Sequence, residues 1–310
     1  MTLLNPFPRW TSSLLTQLEQ GRKRRIRRER ESGPVSQTAS EIETLEKRAL
    51  LSSSGKDSVL TVMNPPPVVK TTTLQVQVAS IDEHDSHENS SDSLRLSLVQ
   101  TSGPTIATGI KIQSSTGVLT WTPGADQAAG SYGFNVILRK KGSSNPLEIK
   151  PLQVQVLSAG IVNQNLVVVG TSLSDAISVS SLPSNGIAVG VNSECYVFNG
   201  AKVTGTIKIS GFQGDDTLNV AGAIGHPYSI NVAGDADTLI VEGTSHRDVI
   251  ALSNNQVVVN GNSISYNTIS HLVVNAIGGD DSVSMTGNAA PPCVTVDGSG
   301  GFNDFTATLT

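Results

Sequence analysis

Apolar residues fall at every second position along most of the chain beyond residue 56. Leu74-Gln75-Val76-Gln77-Val78 and Leu152-Gln153-Val154-Gln155-Val156 are clear instances. That period places alternate side chains on one face of a half-buried strand, while helical spacing is nearly absent there. The pattern predicts an all-β protein. In the C-terminal half it occurs twice. Gly170-Thr171-Ser172 with Asp175-Ala176-Ile177 opens one copy, and Gly243-Thr244-Ser245 with Asp248-Val249-Ile250 opens the other. Each copy carries an apolar strand ending in Asn-Gly, Asn199-Gly200 matched with Asn260-Gly261. Next comes a Gly-Asp-Asp turn, Gly214-Asp215-Asp216-Thr217-Leu218 or Gly279-Asp280-Asp281-Ser282-Val283. The openings lie 73 residues apart and the Gly-Asp-Asp turns 65. The first copy therefore holds eight extra residues, expected between Pro183 and Val203. Such duplication points to coils stacked along one axis, a short parallel β-solenoid.

Three segments follow. Residues 1–64 read as a basic, disordered leader, 65–158 as a β-sandwich, and 159–310 as the duplicated region, with copies near 170–242 and 243–310. Pro65-Pro66-Pro67 is a stiff spacer at the first boundary. Within the leader, Leu14, Leu15 and Leu18 suggest a short amphipathic helix ahead of the basic run Arg22 to Arg30. Neither a signal-peptide apolar stretch nor an 18-residue transmembrane span accompanies that run. Leu45-Glu46-Lys47-Arg48-Ala49-Leu50-Leu51 resembles the Leu-Glu-Pro-Arg-x-Leu-Leu segment near the start of large planctomycete surface proteins, with Lys47 in place of proline. The resemblance implies an export-associated leader. Thr116-Gly117-Val118-Leu119-Thr120-Trp121-Thr122-Pro123 and Gly130-Ser131-Tyr132-Gly133-Phe134-Asn135-Val136 resemble strands of bacterial putative-Ig and cadherin-like repeats. That likeness implies an Ig/cadherin-like sandwich of about seven strands between Val68 and Leu157. Trp121, Tyr132 and Phe134 would be its large core anchors.

Composition fits thin cores between many turns, with 4% aromatic residues and 29 glycines in 310. The net charge of −5 conceals segregation: residues 1–56 carry eleven Lys/Arg against six Asp/Glu, and residues 160–310 carry three against twelve. The acidic body would repel nucleic-acid phosphates and attract cations. Only Cys195 and Cys293 occur, without zinc spacing, and they read as two isolated buried thiols.

The Gly-Asp-Asp turns offer the most specific candidate chemistry. Gly211 to Asn219 and Ala276 to Ser284 resemble the calcium-binding nonapeptide of haemolysin-type (RTX) repeats, each short of one or two glycines. A hard cation takes six to eight oxygens, which glycine turns can gather beside a carboxylate. The resemblance makes Asp215, Asp216, Asp280 and Asp281 candidate ligands, with Asp235, Asp237 and Asp304 as weaker echoes. In the sandwich, Asp82, Asp85 and Asp92 are further candidates, because cadherin-like bacterial modules carry an Asp-rich turn there. The residues themselves leave two readings open: weak calcium ligation, or Asx-type turn capping by local N–H groups. The His84-x-x-His87 pair sits in an acidic loop expected to be solvated. No G-x-S-x-G, P-loop or H-E-x-x-H occurs, and the five histidines are scattered.

These observations lead to an expected function without catalysis. The chain reads as an extracellular or cell-surface structural and adhesion protein with weak calcium binding, contacting surface proteins or polysaccharide and not nucleic acid. Two other classes are alternatives: a repeat-borne polysaccharide lyase, and an intracellular nucleic-acid binder acting through residues 22–30.

Overall fold

Every alternating stretch named above becomes a strand. The computed structural model describes residues 60–308, apart from 83–93, 234, 235, 254, 287–292, 299 and 302. These residues lie in the compact unit 42–310 and form 25 strands with one short 3₁₀ turn, Gly200–Lys202. The fold is all-β. The leader helix and basic run, Asp85, Asp92, His84, His87 and Asp235 lie outside the described residues.

The first β region starts before the proline spacer. β1 (Leu60–Val62) falls inside the stretch expected to be leader, yet Leu60 is buried and β1 pairs antiparallel with β4 (Ala79–Ile81). Burial of the Leu60 side chain and the ladder to β4 together offset the entropy lost by ordering this stretch. Four strands form one sheet in the order β2 (Val68–Val69), β9 (Pro146–Leu157), β8 (Gly130–Lys140), β5 (Leu94–Ser102). A second sheet runs β3 (Leu74–Gln77), β7 (Val118–Trp121), β6 (Lys111–Ile112). Both contribute to one core, in which Trp121, Tyr132 and Phe134 are the aromatic anchors the alternation predicts. The Trp121 ring meets Tyr132 and Phe134 edge to face, at 5.3 and 6.3 Å between centroids. Their polar ends are satisfied: Trp121 Nε1 donates to Thr108 O, and Tyr132 Oη to Ala128 O.

After β10 (Ala159–Val162) and β11 (Asn165–Val169), the duplicated region begins. Its first copy contains β12 (Ala176–Leu182), β13 (Gly186–Val191), β14 (Glu194–Asn199), β15 (Ile207–Phe212), β16 (Thr217–Ala221), β17 (Tyr228–Val232) and β18 (Thr238–Glu242). The second contains β19 (Val249–Ser253), β20 (Gln256–Val259), β21 (Asn262–Tyr266), β22 (His271–Asn275), β23 (Ser282–Thr286), β24 (Cys293–Asp297) and β25 (Asp304–Thr308). Each copy is an antiparallel three-strand meander followed by four strands that alternate between two sheets. The sheets run β10-β11-β15-β17-β21-β20-β19-β23-β25 and β14-β13-β12-β16-β18-β22-β24. Outside the meanders and the β10–β11 hairpin, neighbours are parallel. Alternate side chains from both sheets meet in a single aliphatic core.

The copies occupy opposite sheets. The meander β12–β14 lies in the seven-stranded sheet, and its equivalent β19–β21 lies in the nine-stranded one. Five crossings separate the two openings, an odd number, so the second copy enters on the other side.

One matched pair needs correction. The structural equivalent of Asn260 is Asn192 at the β13–β14 turn, not Asn199. Asn192 Nδ2 donates to Asp175 Oδ1 and Asn260 Nδ2 to Asp248 Oδ1, each at 2.6 Å. Asn199 instead caps the 3₁₀ turn, accepting from Ala201 N.

Candidate functional site

Five of the turns between sheets are hexapeptides with a small residue first and Asp or Asn sixth. They are Gly170 to Asp175, Gly211 to Asp216, Gly243 to Asp248, Ala276 to Asp281 and Gly298 to Asn303. A related turn, Val232 to Asp237, joins β17 to β18. Reversal of the chain within six residues leaves backbone N–H groups without a strand partner, and a short carboxylate is the local acceptor that fits.

Stacking turns this local chemistry into two ladders, one at each edge of the paired sheets. Along the first, Asp175 N–H donates to Asp216 Oδ1 and Asp216 N–H to Asp237 Oδ1, both at 2.9 Å. Along the second, Asp248 N–H donates to Asp281 Oδ1 at 2.9 Å and Asp281 N–H to Asn303 Oδ1 at 3.1 Å. The carbonyls continue the run: Thr217, Thr238, Ser282 and Asp304 N–H donate to the O atoms of Asp175, Asp216, Asp248 and Asp281. Asp175, Asp216, Asp237, Asp248 and Asp281 are all buried. The carboxylates of Asp216, Asp237 and Asp281 thus bind one turn to the next, beyond their own turns.

The second carboxylate oxygen separates two kinds of turn. In the Gly-Thr-Ser turns it accepts the N–H of the turn's second residue, Thr171 to Asp175 Oδ2 at 2.6 Å and Thr244 to Asp248 Oδ2 at 2.7 Å. In the Gly-Asp-Asp turns the second residue has a left-handed φ, 71° at Phe212 and 69° at Ile277. There Asp216 Oδ2 and Asp281 Oδ2 are buried and meet no hydrogen-bond donor. Burial, reinforced by the charges of Asp175, Asp237 and Asp215, pushes the Asp216 carboxyl up to about 6.

The predicted ligands do not gather at one point. Asp216 and Asp237 share the first ladder, and Asp281 stands in the second at the opposite edge. Asp215 is exposed and accepts from Ala236 N at 3.2 Å. Asp280 and Asp304 are exposed on the second copy, and Asp82 is exposed just after β4. Among the described residues no three His, Cys, Asp or Glu side chains converge as a metal-binding group. Sequence reasoning missed Asp175, Asp248, Asn192, Asn260 and Asn303 as parts of this constellation. Their signal was the Gly-x-x-x-x-Asp/Asn spacing, which the Gly-Asp-Asp motif obscured.

Cys195 and Cys293 are exposed, contrary to the expected buried thiols. Each lies on a strand at the outer edge of its sheet, at a position whose side chain points away from the core. Alternation governs their placement more strongly than the usual preference of free cysteine for burial.

The two β regions meet without a spacer. Asp126 of the first accepts from Ser172 N and Ser172 Oγ of the second, at 2.7 and 2.9 Å. Ser158 N donates to Tyr196 Oη at 3.0 Å. Lys70 is buried at this junction, where desolvation lowers its affinity for a proton while Glu194, Asp175 and Asp126 oppose the effect. Burial and the Glu194 carboxylate push the Tyr196 phenol up to about 12. In comparison with known proteins, the chain matches no family model and no curated sequence.

Proposed function

We propose that this chain is a non-catalytic structural protein of the cell surface or extracellular space. In this reading an Ig/cadherin-like sandwich is fused to a short parallel β-solenoid, and the protein makes adhesion or matrix contacts with other surface proteins or polysaccharide. The observation that supports it best is the use of the turn carboxylates. They hold coil to coil through backbone N–H groups, as parts of a scaffold do, and Asp126 and Lys70 tie that scaffold to the first β region. Fractionating the producing cells tests the reading. The protein is expected in the medium or exposed to added protease on intact cells. Recovery only from the cytoplasm, bound to nucleic acid, would reverse it, and release of unsaturated sugar ends from an acidic polysaccharide would replace it with a lyase.

Calcium belongs to the same proposal. The duplicated region is strongly acidic, and two buried carboxylate oxygens lack a donor. A cation that binds only the folded form raises its stability by mass action. Incomplete nonapeptides place the expected affinity at about 10⁻⁴–10⁻³ M, the range of extracellular modules. Millimolar calcium should raise the thermal midpoint of the whole chain over that in chelator, and Asp216→Asn/Asp281→Asn should remove the difference. An unmoved midpoint in the parent protein eliminates calcium and leaves the aspartates as turn-formers.

A further inference from the structure

One carboxylate of the first β region seats on one turn of the duplicated region. Asp126 Oδ1 accepts from Ser172 N at 2.7 Å and its Oδ2 from Ser172 Oγ at 2.9 Å, so a single residue grips both oxygens. Ser172 is the third residue of the Gly170 to Asp175 hexapeptide. The duplication gives that turn a second copy, Gly243 to Asp248, with Ser245 in the same place. We propose that the second turn is a docking site for a carboxylate on a loop of a partner protein, held by Ser245 as Ser172 holds Asp126.

The two turns match bond for bond. Thr171 N and Thr244 N donate to the aspartate Oδ2, and the threonine hydroxyls reach Oδ1 at 3.2 and 3.0 Å. Leu173 N and His246 N donate to those hydroxyls at 3.1 and 3.2 Å. The Asn192 and Asn260 amides donate to Oδ1 alike. A backbone fixed at so many points sets Ser245 N–H and Oγ where their counterparts stand. What differs is the occupant. Among the described residues Ser245 N meets no acceptor, and Ser245 Oγ has only His246 Nδ1, at 3.4 Å. The connection that precedes this turn at the same edge, residues 222–227, is held elsewhere: Gly222 N donates to Glu242 O, and Gly222 O accepts from Asn262 Nδ2. Ser245, His246 and Arg247 are all exposed.

The residues that change between the copies favour an anion. His246 and Arg247 replace Leu173 and Ser174, and Arg247 is one of only three Lys or Arg in residues 160–310. At the first turn the cation acting on Asp126 is Lys70, from the first β region. At the second, Arg247 supplies the charge from the turn itself and has no ion-pair partner among the described residues. Two donors from one residue suit a carboxylate, each oxygen taking one charge-assisted hydrogen bond. The twelve Asp and Glu of residues 160–310 repel a polyanion, which favours a lone carboxylate on a protein loop over a polyuronide. Asp126 of a second copy is already held by its own Ser172, which leaves the equivalent loop of another protein as the occupant. The contact stands wherever the cell places the chain, so fractionation and the titration below can fail separately.

The test is an NMR titration of the isotope-labelled whole chain, read at the backbone amide of residue 245. The probe is a capped peptide copying residues 122–130, in which Asp126 is the only charged residue. The Ser245 amide should shift saturably at millimolar peptide, while the Ser172 amide, already occupied, stays still. An Asp126→Asn peptide should leave both unmoved. Ser245→Ala should weaken binding about tenfold, the loss of one hydrogen bond to a charged group. Arg247→Ser should weaken it about two- to fivefold, the size of an exposed ion pair. A Ser245 amide that stays still at tens of millimolar peptide overturns the proposal, as does an equal response to the Asn peptide. Tighter binding of inorganic phosphate or of a galacturonate oligomer than of the peptide also overturns it, giving the turn to a general anion or to a polysaccharide. The two peptides on the wild-type chain decide the matter if a variant does not fold.

Discussion

Asp216 and Asp248 occupy the same place in equivalent hexapeptides but meet different surroundings. Asp248 has an N–H for each oxygen, from Thr244 and from the Asn260 amide, besides its role in the ladder. Asp216 Oδ2 has none, and its carboxyl titrates at about 6. The folded state thus holds the Asp216 proton more tightly than the unfolded chain, whose ordinary value is 3.8. Between those two values the native state binds more protons than the unfolded one. This group's contribution to stability is present at low pH and is lost as pH rises through about 6. The thermal midpoint of wild type should therefore gain a few degrees on acidification from neutral pH to pH ~5, relative to Asp216→Asn. The variant should fold, because Asn303 holds the same place in its own turn and accepts from Asp281 N. Equal pH slopes for the two proteins would show that Asp216 is an ordinary carboxylate.

The Gly-Asp-Asp turn explains its glycine at the level of the element. Gly214 has φ +106°, and a Cβ there would lie 2.5 Å from the Leu173 carbonyl carbon and the Ser174 nitrogen of the preceding turn. Gly279, with φ +122°, would meet the His246 carbonyl carbon at 2.5 Å. Both glycines permit left-handed backbone and close stacking together, and neither requirement involves a ligand. Gly214→Ala should cost about 2–4 kcal/mol, combining backbone strain with an overpacked contact between turns. Gly124→Ala, with ordinary φ and open space around the site, should be neutral in the same denaturant titration. A neutral Gly214→Ala would mean that the turns are not stacked this closely.

Across the whole molecule the two β regions are fixed to one another by a few polar contacts around Lys70, with Val69 packed close to Gly160. Burial of a cation among three carboxylates of both regions ties their stabilities together, since separating the regions exposes every partner. Calorimetry of wild type should show one transition, and Asp126→Ala with Lys70→Met should divide it into two. A single transition in the double variant would place the coupling in the apolar contact alone.

Much of this was legible in the residues themselves. Alternation determined the strands because a half-buried strand needs one apolar face, and Trp121, Tyr132 and Phe134 were identifiable as anchors because little else in that region is large enough. The duplication and its eight extra residues were also plain; five lie between Asp175 and Asn192 and three between Asn192 and Gly211. Other properties depended on which turn stacks on which. The pairing of Asp216 with Asp175 joins residues 41 apart, and no local signal marks a hydrogen bond across that distance. The exchange of sheets between copies follows from the number of crossings, and the Asn192–Asn260 equivalence from two contacts to aspartate. Exposure of both cysteines follows instead from alternation, which sets Cys195 and Cys293 on the outward faces of their strands. A sequence states which face of a strand is apolar, but only the assembled sheets state which turn stacks on which.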